Sequence, residues 1–433
     1  MSQHQGFFLT VMTSPLNSAT RRRRRPEPQY NVEPLYRRHI LSGQQPPLNG
    51  WSTSIADEAS NTVYFYGGVR ACDEASTPTN ELYLLDLKKD RWEWQNLTKD
   101  LQNIPMDLYA PGDIPFPALF EPAWASLSLE RNGPTFLIFF GGQPRGANAA
   151  CADLICVDVQ RLRWWKVLIN GPLPRGRTGA AMVAHDKRLF IFGGRSSRED
   201  NAEVLDSFSI ATFDSQRRQW SWTVADEPMP LSPGTSLGYQ LGATLVYGGK
   251  KVLLMQGHLT EQDPIDLSPA TTLFFHTDHH TFGDATLTHG PFARGLYWYR
   301  LAYIESRSEF AHEEEPPAVD GPRSKRRRVD PGRAPADAAP FPASVIIAGW
   351  VKPEEGGQNI TPEVWQYAIP PSETIRCLDI KDKIYNLELN LQDFFVVGGR
   401  MLLFGSTSGE DEGDGGDACW DIAIEIPFSE LDT

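Results

Sequence analysis

The chain has 433 residues, 40% of them hydrophobic and 11% aromatic, which is ample for a large buried core. Its formal net charge of −14 sets up a field that repels phosphate backbones, so bulk nucleic-acid binding is not expected. No apolar run approaches the roughly 18 residues of a membrane-spanning helix, and 36 glycines with 34 prolines demand many tight turns, so short strands are expected.

Residues 1–49 read as an arm. The apolar stretch Phe7–Met12 is short and precedes its cations, Arg21–Arg25, which is the reverse of a secretion signal. A soluble chain of the nucleus or cytoplasm, with no membrane partner, is the expectation, and Arg21–Arg25 is a minor import-signal candidate.

From residue 50 to 427 short apolar runs recur. VYFYGG (Val63–Gly68), FLIFFGG (Phe136–Gly142) and RLFIFGG (Arg188–Gly194) end in the pairs Gly67–Gly68, Gly141–Gly142 and Gly193–Gly194. Weaker copies are KVLLMQGH (Lys251–His258), SVIIAGW (Ser344–Trp350) and RMLLFGS (Arg400–Ser406). Runs of this length with consecutive apolar positions fit strands covered on both faces. After each strong copy come a polar loop and a second pattern: Glu81–Trp94, Asp153–Val167 and Ser207–Trp222. Each reads as a strand, an Asp, a polar turn, and then a strand opened by Trp92, Trp164 or Trp220. The Asp suits a tight hairpin because its side chain bonds its own backbone, and the Trp suits a gap between stacked sheets.

This order resembles the Kelch repeat. The third copy also carries the family's opening segment, with Pro174, Arg175 and Gly179 in place. The resemblance implies an all-β, six-bladed propeller of four-stranded blades, with seven blades as the alternative. One copy cannot cover both of its faces, so the ring must close before any blade is stable. The last copy is one strand short, and either Phe7–Met12 or Asn31–Ile40 is expected to supply it; residues 428–433 form a tail.

Residues 309–342 interrupt the pattern with Pro, Ala and charge, the composition of a disordered insertion between two strands of blade 5. Within it Lys325, Arg326, Arg327 and Arg328 form a compact basic run of the kind a nuclear import receptor reads. The acidic loop Ser406–Trp420 lacks the register of a calcium loop and reads as a solvated tip.

Five cysteines (Cys72, Cys151, Cys156, Cys377, Cys419) contain no paired metal-ligand spacing and are expected to be reduced. His276, His279, His280 and His289 cluster without a completing ligand; on one strand, His276 and His280 would share a face. No metal and no cofactor are expected. Some Kelch-like proteins are enzymes, copper radical oxidases and plant specifier proteins among them. An oxidoreductase or specifier-like lyase acting at the central channel is therefore the alternative to a non-catalytic scaffold.

In that family, residues just past the paired glycines sit in loops at one end of the ring. Here those places hold Arg70, Arg145, Arg195 and Arg198, with His258 and Lys352 in weaker copies. They predict a basic face that takes an acidic or phosphorylated segment of a protein client.

Overall fold

The computed structural model describes residues 36–46, 50–69, 78–104, 114–130, 133–199, 201–259, 265, 267, 272–284, 296–304, 343–351, 361–369, 375–378, 389–397, 399–407 and 422–427. The insertion, the acidic loop tip, Phe7–Met12 and both basic runs lie outside them, as do Cys72, Cys419 and His289.

Six antiparallel blades make up the described chain. Blade 1 runs Gly50–Asp57, Thr62–Val69, Leu82–Asp86 and Glu93–Asn96. Blade 2 runs Ala123–Ser128, Thr135–Phe140, Leu154–Asp158 and Arg163–Lys166, and blade 3 Ala181–His185, Arg188–Phe192, Ser207–Asp214 and Gln219–Pro228. Blade 4 comprises Gly242–Val246, Lys251–Met255, Thr272–His276 and Thr281–Asp284. Leu296–Ile304, Ser344–Val351, Thr361–Ala368 and Ile375–Leu378 form blade 5. Blade 6 takes Leu389–Val397, Arg400–Thr407 and Ile422–Pro427 from late in the chain, and its fourth strand is Arg37–Ile40, in register from Arg37–Glu425 to Ile40–Ile422.

The first strand of every blade is innermost, and each neighbours the inner strands before and after it, blade 6 beside blade 1. The result is a six-bladed β-propeller around a channel. Inner strands begin, and second strands finish, at one end of the ring. Because the paired glycines lie there, we call it the glycine end, and the other the turn end.

Short parallel strands reinforce three outer edges: Ser42–Gly43 on blade 1, Gln102–Asn103 on blade 2 and Ile169–Asn170 on blade 3. Each belongs to the crossover arriving from the preceding blade, and Ser42–Gly43 continues from the closing strand Arg37–Ile40.

Packing between blades holds the ring. Phe190, Phe192 and Phe208 of blade 3 meet Phe275 of blade 4 with ring centroids 5.2 to 5.7 Å apart. Full burial of such a side chain is worth about 1.5–3 kcal/mol, so each blade gains its stability from its neighbours. Trp92, Trp164 and Trp220 are all buried, Trp92 just before the fourth strand of its blade and the other two near the start of theirs. Both residues of each strong glycine pair have φ between +64° and +96°, a region only glycine visits cheaply. At the turn end, Asp86, Asp158 and Asp214 each accept backbone N–H groups of the turn that follows. His276 closes a strand whereas His280 sits in the turn after it, its N–H on the His276 carbonyl at 2.9 Å, so the two do not share one strand.

Candidate interaction site at the channel mouth

Three residues turn the chain into the inner strands of blades 2, 3 and 4: Glu121, Gly179 and Gln240. All are left-handed, with φ of 44°, 61° and 53°. For the Glu and the Gln this costs energy, and such strain concentrates where a site needs it. Their backbones link across the blades, Gly179 N–H to the Glu121 carbonyl at 2.9 Å and Gln240 N–H to the Gly179 carbonyl at 2.5 Å. Gly179 has no side chain, so those of its neighbours meet above it, and Gln240 Nε2 donates to Glu121 Oε1 at 2.6 Å.

Arg195, just past the third glycine pair, is buried beside this arch. Its guanidinium stands 4.1 Å over the Tyr239 ring and 3.8 Å from Glu121 Oε2. His258 packs near Tyr239, ring centroids 5.8 Å apart, and pairs with it by backbone hydrogen bonds in both directions. All five side chains line a channel cavity of about 990 Å³.

Farther along the channel, Arg300 of blade 5 reaches across blade 6 to blade 1. Its Nε meets Asp393 Oδ1 at 3.3 Å and its Nη2 donates to Ser54 Oγ at 2.9 Å; Ser54 in turn donates to Asp393. Between these clusters the wall is built of small side chains, among them Ala123, Ala125, Ala181 and Ala243.

The expected ring of solvent-facing cations needs correction at two places. Arg195 is 4% exposed and faces an aromatic ring and a carboxylate brought in by the neighbouring blades. Arg198 is half-buried, 4.0 Å over Phe120. Arg145 is exposed, His258 is half-buried at the mouth, and Arg70 and Lys352 lie outside the described residues. Of the cysteines, Cys156 is buried, which pushes its thiol well above the usual range, and Cys151 and Cys377 are free thiols as well.

Among the described residues, the large apolar side chains that remain exposed are Ile40, Ile104, Ile114, Leu168, Leu173 and Leu259. The first five lie at or on the crossovers into blades 1, 2 and 3, and Leu259 follows His258 on the glycine end.

The family described as the KLHDC2/KLHL20/DRC7 Kelch-repeats domain matches residues 126–280. Those residues hold the second and third glycine pairs and their buried tryptophans, in blades that close into a ring. This chain is a Kelch-repeat β-propeller. Human Kelch domain-containing protein 10 is 26% identical to the propeller over 186 residues, 42% of this chain and 37% of that protein. The Acyl-CoA-binding domain-containing protein 4 of Arabidopsis thaliana is 27% identical over 216 residues, 49% of this chain and 27% of that protein. The matches thus span less than two fifths of these relatives' length. Among solved structures, that of YjhT aligns with a TM-score of 0.45 at 14% identity, covering 89% of this chain and 96% of that one.

Proposed function

We propose that this Kelch propeller is a non-catalytic scaffold that holds a protein client on its glycine end. The observation that carries the reading is the distribution of exposed apolar side chains. Leu168 and Leu173 are 65% and 66% exposed, and with Ile40, Ile104 and Ile114 they lie at or on the crossovers, which leave and re-enter the ring at the glycine end, while Leu259 is on that end itself. An exposed Leu alone needs no explanation, but a set gathered on the crossovers has the make-up of an interface. The mouth adds Tyr239 with Arg195 stacked on it, residue types that anchor protein interfaces.

The test is capture of the client from native cells by the tagged full chain, wild type against a Leu168→Asp/Leu173→Asp variant. A client that co-purifies in stoichiometric amount with the wild type should fall at least about tenfold with the variant, because charge enters the apolar contact. The unfolding midpoint should not move, since both side chains are in solvent. Undiminished capture by the variant would overturn the reading.

A further inference from the structure

We propose that the channel mouth between blades 2 and 4 receives an uncharged loop of the client, an apolar side chain entering the channel while backbone amides meet Glu121, Arg195 and Gln240. This rests on the reading that the glycine end binds a protein, and specifies the chemistry of what is bound.

Charge decides between the possible ligands. The formally charged residues lining the cavity are Glu121, Arg195, Arg300 and Asp393, with Glu58 at the turn end. The first four stand as two ion pairs, Arg195 with Glu121 and Arg300 with Asp393. A client carboxylate would have to take Arg195 away from Glu121. Glu121 is poorly placed to yield: its backbone is left-handed, its carbonyl holds Gly179 and its carboxylate holds the Gln240 amide. A client cation meets the mirror obstacle, since Arg195 is clamped on Tyr239 beside the same carboxylate. Two opposite charges fixed to each other leave a dipolar surface, which a neutral amide matches without displacing either group: its carbonyl accepts from a guanidinium and its N–H donates to a carboxylate.

The arch itself points to a ligand. Blade 3 makes the same turn with Gly179 and no strain, so Glu121 and Gln240 accept an unfavourable backbone in exchange for side chains across the mouth. Beneath the arch, Ala123, Ala125, Ala180, Ala181, Gly242 and Ala243 line the wall. Small side chains leave the width that one inserted apolar group fills, and its burial is favourable.

A phage-displayed library of random disulfide-closed loops, panned on the full chain, tests the proposal. Recovered loops should be uncharged around a central apolar residue. Their affinity should change less than about twofold between about 50 and 500 mM salt, because no net charge is exchanged. Gln240→Gly should weaken them at least about tenfold; that variant keeps the fold because glycine suits the left-handed position, and its unfolding midpoint is the control. Acidic loops with steep salt dependence, neutral loops indifferent to Gln240→Gly, or no recovered loop at all would each overturn the inference. Its failure is distinguishable from failure of the client-binding reading, which is decided by capture with the Leu168→Asp/Leu173→Asp variant.

Discussion

His39 lies flat on Trp92, ring centroids 3.8 Å apart, while its Nε2 meets Glu425 at 2.7 Å. Arg400 bonds the other oxygen of Glu425 at 3.0 Å. Burial alone would raise the Glu425 carboxyl, but the hydrogen bonds from His39 and Arg400 outweigh it and hold the group below its ordinary value. A carboxylate depressed in the folded state stabilises above its unfolded pKa of about 4.3, and that contribution is lost as pH falls through the folded value. Glu425→Gln should therefore unfold more easily than wild type near neutrality, and the gap should close below about pH 4. Urea unfolding across that range reads it directly; a gap constant with pH would show that the carboxylate's charge contributes nothing. Trp92 was legible because the repeat marks it, whereas its partners were not, since His39 and Glu425 stand 386 residues apart. Arg195 shows the same boundary. Its type and its place past a glycine pair are in the sequence, but Tyr239 and Glu121 reach it only through the neighbouring blades.

Within a blade, the glycine pairs are the most readable element because backbone geometry leaves them no substitute. A Cβ on Gly141 would lie 2.3 Å from the Arg177 carbonyl oxygen, at φ +70°. Gly146 has a similar φ of +76° but nothing within 4 Å. Gly141→Ala should cost about 3 kcal/mol or more, strain plus clash, and Gly146→Ala only about 1 kcal/mol. Denaturant midpoints of the two variants separate these terms; equal losses would mean that close approach is irrelevant at Gly141. Eroded copies keep only what their own geometry needs. In blade 4 Gly257 remains because a Cβ there would meet the Tyr239 carbonyl oxygen at 1.9 Å. In blade 5 the strand runs on through Trp350, paired with Pro362, so no glycine turn is made there. The left-handed Glu121 and Gln240 could not be read, because nothing in their residue type announces a position that Gly179 fills in the intact copy.

For the whole molecule, six recurring runs foretold six blades, and the short last copy foretold a borrowed strand. The parallel strands on the outer edges were invisible, since two residues carry no periodicity. Closure rests on little: Arg37–Ile40 pairs four residues of blade 6, and Ser42–Gly43 then attaches to blade 1. Removing residues through Ile40 strips the outer strand from blade 6 and the stacked ring from Trp92. Because blades stabilise one another around the ring, the loss should spread, lowering the melting temperature by at least about 5 °C and broadening the transition. Calorimetry of the truncated chain checks this; an unchanged single transition would mean that blade 6 is stable with three strands.

Arg38 and Ile424, partners across the seam, impose an order on biosynthesis. The first emerges from a ribosome long before the second exists; at about 5–20 residues per second the delay is on the order of 20–80 s. During that interval Arg37–Ile40 is an orphan edge in search of a partner, while five blades accumulate behind it. Whatever occupies it in the meantime, a chaperone or another nascent chain, must leave before the last strand can be seated.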